Sequence, residues 1–229
     1  MKKQNVCILF GGMSPEHEVS LRSAESVLNN IDKEKYNLYP VGITKSGVWM
    51  LYGDTDYSKL PGGRWQACTR NRRAAISPVR GEGLLIFDGD RVQKQPIDVV
   101  FPVLHGENGE DGAMQGLMQL AGLPCVGPDV ASSAACMDKS LTKLIADGAN
   151  VRQAAWLLVT RRQQQEDAAA VIEQVEARFA YPVFVKPAGT GSSVGVSKAK
   201  DRAALQQALL DALFYDDKEI GRASCRERV

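Results

Sequence analysis

An α/β layer fold that opens on a parallel sheet is what this sequence predicts, and three observations predict it. Residues 6–10 (VCILF) form an unbroken apolar run that stops at Gly11-Gly12, the pattern of a strand buried on both faces and followed by a tight turn. Ala24, Val27, Leu28 and Ile31 then recur at helical spacing, with Ser20 placed to cap that helix. Residues 38–43 form a second apolar run, which completes a β-α-β opening.

The remaining elements follow in order. Residues 48–51 pair locally. Residues 52–83 mix Gly, Pro and Arg without periodicity and read as a long irregular insertion, and residues 84–87 and 91–92 flank Asp88-Gly89 as a hairpin. Residues 99–104 read as another central strand, and Met114, Leu117, Met118 and Ala121 make one apolar helix face. Residues 123–126 form a short strand closed by Gly127-Pro128, where the pattern changes and a domain boundary is expected. Beyond it, Met137-Asp138-Lys139 opens a helix and residues 156–159 form a strand. Residues 161–167 read as a solvated turn, and Ala168, Val171, Ile172, Val175 and Phe179 as a helix face. Residues 183–185 return as a strand, and Asp201 caps a last helix bearing Ala204, Leu205, Ala208, Leu209 and Ala212.

Lys+Arg number 28 against 27 Asp+Glu, so no electrostatic footprint marks a nucleic-acid or membrane-surface partner. No apolar run reaches the length of a membrane span. The apolar run after the two N-terminal lysines is too short for a signal-peptide core. Five scattered cysteines without CxxC spacing fit a reducing cytoplasm, and two histidines in separate segments do not make a zinc site.

Four segments carry chemistry. FGGMSPEHEVS (10–20) sets Glu16, His17 and Glu18 at a strand end; a carboxylate there either holds a substrate ammonium or complements the helix dipole. HGENGEDGAMQG (105–116) places His105 after another strand, as a substrate contact or as a histidine bonded within its own loop. CMDKSLTK (136–143) offers Lys139, exposed on a helix or a cation for phosphate. VFVKPAGTGSSVGVSK (183–198) is either a hairpin with a Gly-rich turn or a phosphate site. In the second case Lys186 at a strand end meets phosphate oxygens and the Gly/Ser loop supplies N–H and O–H donors. It is not a Walker loop, whose lysine follows the glycines.

These four blocks, in this order, resemble the D-alanine–D-alanine ligases of the ATP-grasp superfamily from about Val6 to about Lys218. The resemblance implies an N-terminal α/β substrate-binding domain (residues 1–128) and a first ATP-grasp lobe (129–218). A tail unlike the family follows (219–229), and the second ATP-grasp lobe is missing. It implies that ATP phosphorylates the carboxylate of one D-alanine and that the amine of a second attacks the acyl phosphate, for peptidoglycan precursors. On this resemblance Glu16 orients the first D-alanine and His105 touches it. Lys139, Lys186 and Ser193 hold phosphate, and Ser192 is the catalytic and ATP-binding serine of the loop. ATP and Mg²⁺ are the implied cofactors, with the metal ligands in the missing lobe and none in this chain. The implied partners are D-alanine, ATP and a second copy of the chain, in the cytoplasm.

Two departures stand out: Ala155 replaces a proline common in the family, and Ala188-Gly189-Thr190 replaces polar residues at the loop start. Residues 219–229 are charge-rich and lack strand alternation where the family enters an apolar strand. The chain as given is therefore expected to be inactive. Rival readings are another ATP-grasp carboxylate–amine ligase, such as a D-alanine–D-lactate ligase, or a non-catalytic binding fragment.

Overall fold

The computed structural model describes residues 2–191 and 194–223, the last two by backbone alone. The chain divides into two compact units, Met1–Ala134 and Ala135–Val229.

The first unit is built on β1 (Gln4–Gly11), which pairs in parallel with β2 (Tyr36–Ile43) and β7 (Val99–Pro102). The connection between β1 and β2 is α1 (His17–Asn30), as the apolar spacing predicts. The sheet is mixed, because β3 (Trp49–Leu51), β4 (Arg72–Ile76), β5 (Leu84–Asp88) and β6 (Arg91–Gln95) extend it antiparallel in the order β6-β5-β4-β3-β2-β1-β7. β7 ends this row instead of lying centrally, with one bridge from Val100 to Cys125 beyond it. The expected strand at residues 123–126 reduces to that bridge.

The alternation of β1 explains its burial. Cys7 and Leu9 pack on one face with Met114, Met118 and Ala121 of α2 (Ala113–Ala121). Ile8 and Phe10 pack on the other with Leu21, Ala24 and Leu28 of α1 and with Trp65. The segment read as irregular is ordered. It contributes two 3₁₀ turns, Tyr57–Lys59 and Pro61–Ala67, and the strand β4; its buried Trp65 meets Phe10 edge-on at 5.0 Å.

α3 (Val130–Met137), absent from the sequence reading, contains the division between the units. The second unit has an antiparallel sheet in the order β10-β9-β11-β8, made of β8 (Trp156–Thr160), β9 (Val183–Pro187), β10 (Ser197–Ala199) and β11 (Lys218–Ala223). α5 (Arg161–Arg178) and α6 (Arg202–Leu213) bury Val171, Val175, Leu205 and Leu209 against Val159, Val183 and Val185.

Two expectations are corrected here. Residues 161–167 are helical, with a kink at Asp167, because Thr160 and Gln163 form a reciprocal capping box: Gln163 N–H donates to Thr160 Oγ1 and Thr160 N–H to Gln163 Oε1. Residues 219–223, expected to lack strand structure, lie in β11, which bonds to β9 on one side and β8 on the other. Backbone pairing on both edges forms this strand despite its charged residues.

Candidate functional site

The first cluster sits at the carboxyl ends of β1 and β7, where open α/β sheets place their ligands. Ser20 does not cap α1, which starts at His17 with Glu16 as its N-cap residue. Its buried hydroxyl instead accepts from Gly11 N–H at 2.8 Å and donates to Val103 O, which ties the two strand ends together. His17, also buried, meets Gly12 O through Nδ1 at 2.6 Å. The local fold therefore absorbs the histidine beside Glu16, and Glu16 is left as the half-buried carboxylate of this motif.

Glu16 and His105 are brought to neighbouring backbone. Ser14 Oγ accepts from Glu16 N–H at 3.1 Å and donates to His105 O at 2.7 Å. The Glu16 carboxylate presses on Gly106, where a Cβ would lie 2.5 Å from Oε2. The His105 ring is held at Nε2 by Ser23 Oγ at 3.1 Å, and its Nδ1 lies 4.0 Å from Glu110 Oε1. A cleft of about 270 Å³ borders the imidazole, walled by Gly11, Gly12, Leu104, Met114 and Leu117.

The second cluster lies in the second unit. Val183 and Val185 point into the helix-covered core, so Phe184 and Lys186 face the opposite side of β9. Lys139 opens α4 (Lys139–Gly148), whose N-cap Asp138 accepts from Ser140 N–H and Leu141 N–H. Lys139 Nζ donates to Ala188 O at 3.2 Å and to Thr190 O, and Lys139 N–H to Ala188 O at 2.9 Å, so the lysine is tied to the start of the Gly-rich loop. Burial, then the neighbouring positive charge of Lys186, holds the Lys139 ammonium below the usual lysine range. A half-buried ammonium within electrostatic reach of a second one favours a nearby anion.

Asp216 supports this edge. Its carboxylate accepts from Gly189 N–H at 2.5 Å and from Lys218 N–H at 3.1 Å, while the Lys218 ammonium pairs with Asp138. Thr190 Oγ1 donates to Val194 O at 3.0 Å across the loop. Ser192 and Ser193 lie outside the described residues.

Sequence reasoning missed Ser14, Ser23, Asp138 and Asp216. Asp138 was legible as an N-cap, standing directly before a helical run. The others each make a contact distant in sequence, Ser14 to His105 O, Ser23 to His105 Nε2 and Asp216 to Gly189 N–H, which local pattern does not show. Among the described residues no group of three or more His, Cys, Asp or Glu side chains is placed to hold a metal ion. Lys139 and Lys186 carry the charge that meets phosphate, and an ammonium cannot ligate Mg²⁺. Among the described residues no helix is long and apolar enough to cross a membrane.

Lys186 lies on an antiparallel sheet backed by two helices and Lys139 opens α4 beside the same Gly-rich loop, an arrangement that agrees with the ATP-grasp ligase class. The model of the D-Ala–D-Ala ligase N-terminus matches residues 5–128 and that of the C-terminus residues 145–223, so the chain belongs to the D-alanine–D-alanine ligase family. The D-alanine–D-alanine ligase of Caldicellulosiruptor bescii is 44% identical over 224 residues, covering 95% of this chain and 59% of the relative. That of Clostridium novyi is 43% identical, covering 99% of this chain and 62% of the relative. Among solved structures, the VanG D-Ala:D-Ser ligase of Enterococcus faecalis aligns with a TM-score of 0.86 at 36% identity, over 97% of this chain and 63% of that one. The D-alanine–D-alanine ligase of Coxiella burnetii aligns with a TM-score of 0.85 at 30% identity, over 98% and 64%.

Proposed function

We propose that this chain carries the first-D-alanine site and the phosphate-gripping lobe of an ATP-dependent D-alanine–D-alanine ligase serving peptidoglycan precursor synthesis in the cytoplasm. The observation that carries this reading is the pairing of Lys139 with Lys186 beside the loop that starts at Ala188.

The chemistry requires such a site. A carboxylate resists an amine because its charge is delocalised and its leaving group is poor. Transfer of the γ-phosphoryl group of ATP to one carboxylate oxygen makes an acyl phosphate, which the second D-alanine's amine attacks with release of phosphate. Lys139 and Lys186 neutralise the phosphate charge as it moves, Glu16 holds the ammonium of the first D-alanine, and His105 borders that substrate. Ser192 and Ser193 would add loop donors. In this reading the ligase works as a homodimer.

The chain spans 59% of the Caldicellulosiruptor bescii relative. No D-alanine-dependent phosphate release from ATP is expected from the 229-residue chain. A chimera in which that relative's remaining sequence follows Lys218 is expected to release it, and Lys186→Ala in the chimera to lower it about a hundredfold or more. Release by the chain alone, or undiminished release by the Lys186→Ala chimera, contradicts the proposal. Offering D-alanine, D-serine and D-lactate as acceptors to the chimera separates the related ligases.

A further inference from the structure

Ser23 has no part in the roles given so far, yet it makes a contact that they depend on. It lies mid-helix on α1, where a serine commonly turns its hydroxyl back onto its own helix. Here the hydroxyl reaches across 82 residues of sequence to His105 Nε2, at 3.1 Å. On the other side of the ring, the Glu110 carboxylate lies 4.0 Å from Nδ1 and is itself fixed by Gly106 N–H at 2.7 Å. A carboxylate facing Nδ1 draws the imidazole proton to that nitrogen, which leaves Nε2 as an acceptor.

We propose that Ser23 is a positioning residue: its hydroxyl donates to Nε2 of His105 and, with Glu110 opposite, fixes both the ring plane and the tautomer that carries its proton on Nδ1. The consequence for substrate rests on the reading of His105 as a contact of the first D-alanine. A ring locked in one orientation loses no rotational freedom when the amino acid arrives, and its N–H stays where the substrate needs it. The His105 backbone has its own anchor, since Ser14 Oγ donates to His105 O at 2.7 Å, and Gln115 Nε2 donates to Gly109 O at 2.9 Å further along the loop. Removing the Ser23 hydroxyl therefore frees the ring and leaves the loop in place. Alanine also suits the middle of α1 better than serine does, so Ser23→Ala is expected to fold.

The full 229-residue chain holds only two histidines, so long-range proton–nitrogen spectra of the labelled protein show two imidazoles, and His105→Gln identifies which is which. Above about pH 8, where ordinary imidazole is neutral, wild-type His105 is expected as the Nδ1–H tautomer. Ser23→Ala is expected to add an Nε2–H population beside the Nδ1–H form that Glu110 still favours, and Ser23→Thr, which keeps the hydroxyl, to restore the single form. D-alanine binding by calorimetry is expected to weaken about fivefold in Ser23→Ala, the worth of one lost hydrogen bond, and to recover in Ser23→Thr. An Nε2–H tautomer in the wild type, or a tautomer unchanged by Ser23→Ala, overturns the proposal. If the tautomer responds as expected while wild-type protein binds no D-alanine, the role of Ser23 stands and the substrate reading of His105 fails.

Discussion

Replacing Glu219 with leucine is expected to stabilise the second unit by roughly 3–5 kcal/mol at pH 8, with most of that gain gone by pH 4.5. Glu219 is fully buried in β11, with register partners Val159 of β8 and Pro187 of β9, and lies on the face packed by α5 and α6. One carboxyl oxygen accepts from Gln164 Nε2, and the other has no partner among the described residues. Burial pushes the carboxyl up to about 8; the Gln164 hydrogen bond pulls against this and the Asp216 charge adds to it. The sign follows from proton uptake. Between about 4.5 and 8 the native state keeps this proton and the unfolded state loses it. Stability is then complete below pH 4.5 and falls by about 1.4 kcal/mol per pH unit until the native carboxyl also ionises. Leucine removes that slope and adds apolar burial, and glutamine removes the slope alone. Urea unfolding of the second unit, followed through Trp156 at pH 5 and pH 8, checks this. Parallel pH profiles for the wild type and the Glu219→Leu variant would contradict it.

Gly11→Ala is expected to destabilise the first unit by at least about 3 kcal/mol, a large share of the roughly 5–15 kcal/mol of an ordinary domain. Gly11 ends β1 with φ of +86°, a conformation alanine enters only with strain. A Cβ there would also lie 2.2 Å from Ile43 O, the acceptor of Gly12 N–H at 2.9 Å. Relief would require the end of β2 to move away, which breaks that bond and disturbs the Ser20 tie to Gly11 N–H. Gly81 is the control: its φ is +85°, but a Cβ would meet nothing within 4 Å. Gly81→Ala is expected to cost only the backbone strain, about 1 kcal/mol. Equal losses for the two variants, measured by denaturant unfolding, would show that the close approach to Ile43 is unimportant.

The legible parts of the fold are those written in local periodicity. β1, α1 and β2 each carry an apolar pattern that only one element satisfies, and α6 announces its start through Asp201, which accepts from Ala204 N–H. β4 escaped because Arg72 and Arg73 begin it, and the α5 start because its first turns are solvated and charged. The Thr160–Gln163 capping box was the available signal for the latter. β11 was illegible for a different reason. Its residues KEIGRA oppose strand burial at Glu219, and the strand exists because β9 and β8 offer paired edges on both sides. In the candidate site Glu16, Lys139 and Lys186 stand at strand and helix ends that the sequence marks, whereas Ser23 and Asp216 hold partners 82 and 27 residues away in sequence.

The central claim is that Lys139 and Lys186 together form the phosphate grip of this chain. Titration of ADP into the 229-residue protein, followed by phosphorus NMR, tests it without any demand for turnover. The account predicts saturable broadening and shift of the phosphate resonances by the wild type, weakened about tenfold or more by Lys139→Ala and by Lys186→Ala, each lost charge-assisted contact being worth roughly 1.5–3 kcal/mol. Phosphate resonances that respond equally to wild type and to the double variant would contradict it.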